Sequence, residues 1–149
     1  MKKSILLISL LLLAVLSACA KVDPAIAAEK ITVYKSQSCG CCSIYVNSLK
    51  KAGFSVEVKD VLDVAEIKSQ YKIPKELSSC HTSIVGPYFV EGHVPYEAIM
   101  KLINEKPDIA GIALQGMPSG SPGMPGAKKG EFVIYSVGKD GTKSEFMRI

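Results

Sequence analysis

The chain has 149 residues, enough for one ordinary domain, and no internal repeat points to a second. Its formal net charge is +4, from 18 Lys and Arg against 14 Asp and Glu, with both signs scattered along the chain. That pattern lacks the clustered basic face a nucleic-acid binder needs, which excludes nucleic acid as a partner.

The first 18 residues stand apart. Lys2 and Lys3 precede an apolar run from Ile5 to Leu16 that is broken only by Ser9. The run is shorter than the ~20 residues that span a bilayer, and it predicts an export signal. Leu16-Ser17-Ala18-Cys19 resembles the lipobox of bacterial lipoproteins, where cleavage precedes a cysteine whose sulfur then carries acyl chains. Residues 1–18 are therefore read as signal peptide, 19–29 as a lipidated tether, and 30–149 as the folded domain. A rival cut after Ala25-Ile26-Ala27 would release a soluble protein, but it lies far beyond the apolar core. Removing residues 1–18 takes away two lysines and no acid, so the charge falls from +4 to +2. The expected location is the periplasm, with Cys19 holding the protein to a membrane. There, close cysteine pairs oxidise unless something keeps them reduced.

Ile31 to Tyr34 reads as a first strand. Cys42, Tyr45, Val46, Leu49 and Ala52 then recur at the spacing of a buried helical stripe, which Gly53 is placed to end. Phe54, Val56 and Val58 alternate with polar residues, predicting a half-buried strand. Asp63 and Glu66 form a capping-box pattern for a short helix over 64–71, stopped by Pro74. Ser83-Ile84-Val85 and Tyr88-Phe89-Val90 flank Gly86-Pro87 as a hairpin. Pro95 suits a first helical position, with Tyr96, Ile99, Leu102 and Ile103 as the buried stripe. Residues 116–130 are rich in Gly and Pro and predict a long loop that is either functional or mobile. Residues 131–137 and 142–149 flank Gly138-Lys139-Asp140-Gly141 as a second hairpin. The order matches a thioredoxin-like α/β fold: a central mixed sheet flanked by helices, with an extra C-terminal β-hairpin.

Four cysteines remain after Cys19, and three of them lie in Cys39-Gly40-Cys41-Cys42, where the first strand turns into the first helix. Cys39 and Cys42 form a CxxC at the helix N-terminus, where the dipole and free amides favour thiolate. Thiolate serves disulfide exchange and metal binding alike. Cys41 distinguishes the two, because a third cysteine beside the pair would scramble an exchange enzyme's product. Neighbouring helical side chains point about 100° apart, so Cys41 is expected to face away from Cys39 and Cys42 and to hold a second ion through a shared thiolate. Cys80 stands before the third strand, where thioredoxins carry a cis-proline; Ser79-Cys80-His81-Thr82 contains none. One divalent ion would leave two of four thiolate charges uncompensated, whereas monovalent copper ions neutralise them one for one. Soft sulfur selects Cu(I), zinc or iron–sulfur clusters.

His81 follows Cys80 directly, so an extended strand would turn it to the opposite face. It stays open between a ligand or second-layer donor and a packed histidine. His93, at the end of the fourth strand, is open between a metal ligand or second-layer donor and its simplest role, a capping or loop hydrogen bond. Met117 and Met124 are soft thioethers suited to a copper-capturing lid, or to plugging an apolar groove.

Ile31-Thr32-Val33-Tyr34-Lys35-Ser36, the cysteine cluster, Ser79-Cys80-His81-Thr82, Glu91-Gly92-His93-Val94-Pro95 and the Gly116–Met124 string occur in that order. Together they resemble the periplasmic CopG-type copper-resistance family, over nearly the whole chain from residue 30. The resemblance implies a thioredoxin-like fold, copper on Cys39, Cys41, Cys42 and Cys80, a role in copper tolerance, and cycling between Cu(I) and Cu(II). It implies other periplasmic copper-handling or redox proteins as partners. The lipobox departs from the soluble forms associated with that family. A thiol–disulfide oxidoreductase using Cys39 and Cys42 is the alternative, and a small domain with two structural disulfides is a third.

Overall fold

A computed structural model describes residues 29–149. The signal peptide, Cys19 and nearly all of the tether lie outside the described residues. The elements are β1 (Lys30–Lys35), α1 (Gly40–Lys51), β2 (Ser55–Asp60), α2 (Val64–Gln70), a 3-10 turn (Lys75–Leu77), β3 (His81–Val85), β4 (Tyr88–Glu91), α3 (Tyr96–Glu105), β5 (Gly111–Leu114), β6 (Val133–Val137) and β7 (Lys143–Arg148). The sheet order is β2-β1-β3-β4-β5-β6-β7. β1 is parallel to β2 and antiparallel to β3, and β4 is antiparallel to β3, which is the thioredoxin arrangement. Among the described residues, no helix is long and apolar enough to cross a membrane.

The predicted stripe of α1 buries Cys42, Tyr45, Val46 and Leu49, and Gly53 follows its end at φ +98°. Asp63 caps α2 by accepting from the Ala65 amide. Pro95 sits one residue earlier than expected, as the N-cap of α3 rather than its first residue. Ala98, Ile99, Leu102 and Ile103 form the buried face of α3, while Tyr96 is 49% exposed. At the first position of the helix, its ring has no neighbouring turn to pack against.

One apolar layer joins α1 and α3 to Ile31, Val33, Val85, Val90, Ile112 and Ile134 of the sheet. A smaller layer on the other side gathers Ile73, Leu77, Phe89, Ala113 and Val137. β5 lies between those layers as four buried residues, and no strand was expected there. It runs parallel to β4 and antiparallel to β6, so it is what joins the C-terminal hairpin to the thioredoxin core.

Pairing also fixes direction. β1 and β2 end together, with Lys35 opposite Asp60, and β3 begins at the same place, with His81 opposite Lys35. β4 ends opposite Thr82. All three helices among the described residues therefore begin at one end of the sheet, and Cys39, Cys41, Cys42 and Cys80 lie at that end.

A candidate thiolate metal centre

Cys39 is the N-cap of α1 and has extended backbone (φ −78°, ψ 98°). Its side chain consequently does not follow the 100° helical progression, and the expectation that Cys41 would diverge is corrected. Cys41 Sγ lies 3.5 Å from Cys39 Sγ and 3.9 Å from Cys80 Sγ, and Cys42 Sγ lies 3.4 Å from Cys80 Sγ. All four sulfurs fall within 4.8 Å of one another. Cys39 and Cys42 are joined by a disulfide, while Cys41 and Cys80 are free thiols. Burial and the neighbouring Cys41 push the Cys80 thiol up to about 11, so near pH 7 it is a protonated thiol.

The turn carrying Cys80 is held from below. Glu91 on β4 is fully buried and accepts from the Ser79 amide, the Thr82 hydroxyl (2.7 Å) and the Lys68 ammonium of α2. Gly92 follows at φ +78°, where a Cβ would sit 2.8 Å from Ser79 Cβ. Only glycine lets the Ser79-Cys80 turn pack this closely over the end of β4. No described peptide bond is cis, so Cys80 occupies the cis-proline position in an ordinary trans backbone.

His81 does not point away from Cys80 as an extended strand would require. Cys80 sits in a bend just before β3, and His81 Nδ1 approaches its sulfur to 3.4 Å. His93 Nε2 is closer, at 3.1 Å. The other nitrogen of His93, Nδ1, lies 2.7 Å from the Pro122 carbonyl. A carbonyl only accepts, so Nδ1 carries the hydrogen and the Nε2 lone pair faces Cys80. The loop hydrogen bond expected for His93 is thus present, and it aims the other nitrogen at sulfur. With the Cys80 proton directed to His93, His81 Nδ1–H is left to donate to the same sulfur. His81 Nε2 then stays buried with no hydrogen-bond partner among the described residues. Burial, with lesser effects from His93 and Lys68, pushes His81 down to about 3, and burial lowers His93 as well. Both imidazoles are neutral near pH 7, as metal coordination requires.

Tyr45 packs against both histidines, its ring 4.4 Å from His81 and 5.6 Å from His93, and its hydroxyl donates to the Val94 carbonyl. It was legible only as a core position of the α1 stripe. Glu91, Lys68 and the Pro122 carbonyl had no sequence signal beyond their neighbours' identities.

The Gly- and Pro-rich loop docks on this end of the sheet. Ser121 is buried, and Ser79 Oγ donates to the Gly116 carbonyl. Gly123 (φ +86°) touches α1 so closely that a Cβ would meet the Cys41 carbonyl and Tyr45 amide at 2.8 Å. Met124 lines a shallow cavity of about 310 Å³ with Cys41, Ile44 and Pro125. Met117 is 51% exposed on the same loop.

The donors fit a soft monovalent metal: four cysteine sulfurs, two neutral imidazoles and a nearby thioether, with no carboxylate in either cluster of metal-binding groups. A thioredoxin-like domain whose substrate-docking proline position is a cysteine, with imidazole and sulfur around it, carries a candidate soft-metal site. Residues 77–124 match DUF411, described as a protein of unknown function; this stretch holds Cys80, both histidines and both loop methionines. Among curated proteins, none matches the chain. Two solved structures of a copper resistance protein CopG are similar. Form 2 has 35% identity and a TM-score of 0.76, covering 81% of this chain and 98% of that one. Form 1 has 36% identity and a TM-score of 0.74, covering 80% and 96%. The chain belongs to the CopG-type copper-resistance family.

Proposed function

We propose that the protein binds Cu(I) through Cys39, Cys41, Cys42 and Cys80 in a thiolate-bridged site of more than one ion, in periplasmic copper tolerance. The observation that carries this reading is the convergence of four sulfurs, from two places in the chain, within 4.8 Å. Charge balance supports several monovalent ions over one divalent ion, and the copper-resistance relatives support copper over zinc. His93 is oriented to add a nitrogen donor through Nε2, and His81 to donate a hydrogen bond to sulfur. Met124 is the loop thioether that lines a cavity together with Cys41. Loading requires reduction of the Cys39–Cys42 disulfide, since a disulfide sulfur offers no thiolate.

The same donor set suits one-electron exchange between Cu(I) and Cu(II), with other periplasmic copper-handling or redox proteins as partners. Attachment to a membrane through Cys19 is part of this proposal and rests on the Leu16–Cys19 motif alone. The second reading, a thiol–disulfide oxidoreductase using Cys39 and Cys42, is favoured by their disulfide at the start of α1. Cys41 and the missing cis-proline count against it.

Anaerobic titration of the reduced chain with Cu(I), read by native mass spectrometry, tests the proposal. Two or more coppers per chain are expected, with loss of at least one in Cys41→Ser and in Cys80→Ser. A single ion, or no tight binding alongside metal-free turnover of a dithiol, contradicts it.

A further inference from the structure

Lysines that are scattered along the sequence are gathered by the fold at the end of the sheet opposite the cysteines. Lys50 and Lys51 close α1, Lys72 follows α2, and Lys106 is the C-cap of α3. All four are exposed, and none has an ion-pair partner among the described residues. Lys72 and Lys106 are also the described non-glycine residues with positive φ, at +51° and +47°. Glycine is favoured at such a φ after a helix, so lysine places its charge there against the backbone preference. Both line one open cavity of about 420 Å³ with Tyr71, Tyr88 and Lys139. The three helix ends bring about half a negative charge each, which the four lysines outweigh. Nearby acids are engaged elsewhere: Glu57 with Lys30, Glu105 with Lys101, Asp108 with Lys139, and Asp140 with the Thr142 amide and hydroxyl.

The chain enters the domain at this same end. Lys30 starts β1 opposite Ser55, just beyond the end of α1, and Glu29 lines a small cavity with Val85, Tyr88 and Lys106. Residues 19–29 reach at most about 35 Å when fully extended. The cysteine end differs in kind. Its segments 36–44, 78–82 and 115–127 contain no Lys, Arg, Asp or Glu. Ile44, Leu62, Tyr96 and Met117, the exposed large apolar side chains among the described residues, all lie there.

We propose that the lysine-bearing end is a docking face for an anionic phospholipid surface, which holds the domain with its cysteines turned to water. Headgroup phosphates pair with Lys50, Lys51, Lys72 and Lys106. None of the exposed large apolar side chains lies at this end, so the domain adsorbs to the surface without inserting. The occupant follows from charge and from the place where the tether enters, because an acyl chain on Cys19 keeps this end within the tether's length of the headgroups. The partly exposed Cys41 and Cys80 then face the aqueous phase. The proposal takes its membrane from the reading of Cys19 as a lipid anchor and is independent of copper. Its test omits the acyl chain, so that the lysines and the anchor are judged separately.

The processed chain, residues 20–149 without an acyl group, is sedimented at low salt with vesicles of phosphatidylcholine, alone or mixed equally with phosphatidylglycerol. Binding to the anionic vesicles alone is expected, and it should vanish near 1 M salt, where the screening length falls to about 3 Å. A lysine held near an anionic surface contributes about fivefold in affinity, so Lys72→Gln with Lys106→Gln should weaken binding about thirtyfold. Lys128 packs against Gly120 in the loop over the cysteines. Lys128→Gln with Lys129→Gln therefore removes the same charge from the other end, beyond the screening length, and should change binding less than about twofold. Equal weakening by the two pairs assigns the binding to net charge and overturns the docking face. Equal binding to both kinds of vesicle, or binding to neither, overturns it as well. Hydrogen exchange of the bound chain gives a second reading. Protection is expected at residues 50–53, 70–73 and 104–109; protection centred on 39–44 and 115–125 puts the cysteine end on the membrane and contradicts the proposal.

Discussion

His81 shows what a single side chain contributes here. Its ring is buried against Tyr45 and faces the Cys80 sulfur, and burial holds it neutral down to about pH 3. In the unfolded chain it would titrate near 6.5. The folded value is depressed, so the unfolded state binds more protons between the two values. The stability associated with neutral His81 is fully present above about pH 6.5 and is lost as pH falls toward 3, at up to about 1.4 kcal/mol per pH unit. Denaturant melts of the metal-free protein from pH 7 to 4 should show that loss, and His81→Gln should flatten it. An equal slope in both proteins would remove His81 as the cause. At this scale the sequence exposed the cysteines and histidines but misdirected two of them. Cys41 was assigned a helical direction relative to Cys39, although Cys39 is an extended N-cap, and His81 a strand direction relative to Cys80, although Cys80 precedes the strand. Side-chain periodicity holds inside an element and fails at its first residue, where both neighbours lie.

Elements meet at the site through contacts that no periodicity encodes. Lys68 of α2 and Glu91 of β4 form an ion pair that also secures the Ser79 amide. Lys68→Met leaves a fully buried carboxylate without its cation, and a loss of about 3 kcal/mol in unfolding free energy is expected. Chemical denaturation measures it; a change below about 1 kcal/mol would show that the two hydrogen bonds suffice for Glu91. The loop is fixed by shape. Gly123→Ala drives a Cβ into the α1 backbone at a φ that disfavours any side chain, and a loss of about 1–3 kcal/mol is expected. Because the next residue back supplies the His93 partner, the His93 Nδ1–H resonance should also shift in NMR spectra. The loop's Gly and Pro content announced a special segment, but its docking partner on α1 could not be read from it. β5 was missed for a related reason. Gly111-Ile112-Ala113-Leu114 is short, apolar throughout and without alternation, and it becomes a strand only by pairing with β4 and β6.

At the scale of the whole molecule, the thioredoxin plan explains why these groups share one place. Each helix begins at the end of the sheet where β1 finishes and β3 starts, so a cysteine at the start of α1 and another before β3 are brought together by topology alone. That much was legible, because strand, CxxC, helix and hairpin follow one another with thioredoxin spacing. The C-terminal extension adds β5 to β7 at the far side of β4 and returns a loop over the cysteines, which gives His93 its carbonyl partner. The same architecture that serves thiol exchange in a thioredoxin is thereby surrounded with soft donors and neutral imidazoles. Copper K-edge X-ray absorption of the reduced, Cu(I)-loaded protein addresses the central claim most directly. A first shell dominated by sulfur, with a copper–copper scattering path, is the predicted result. A shell dominated by nitrogen and oxygen, or sulfur ligation with no second copper, would contradict the thiolate-bridged site.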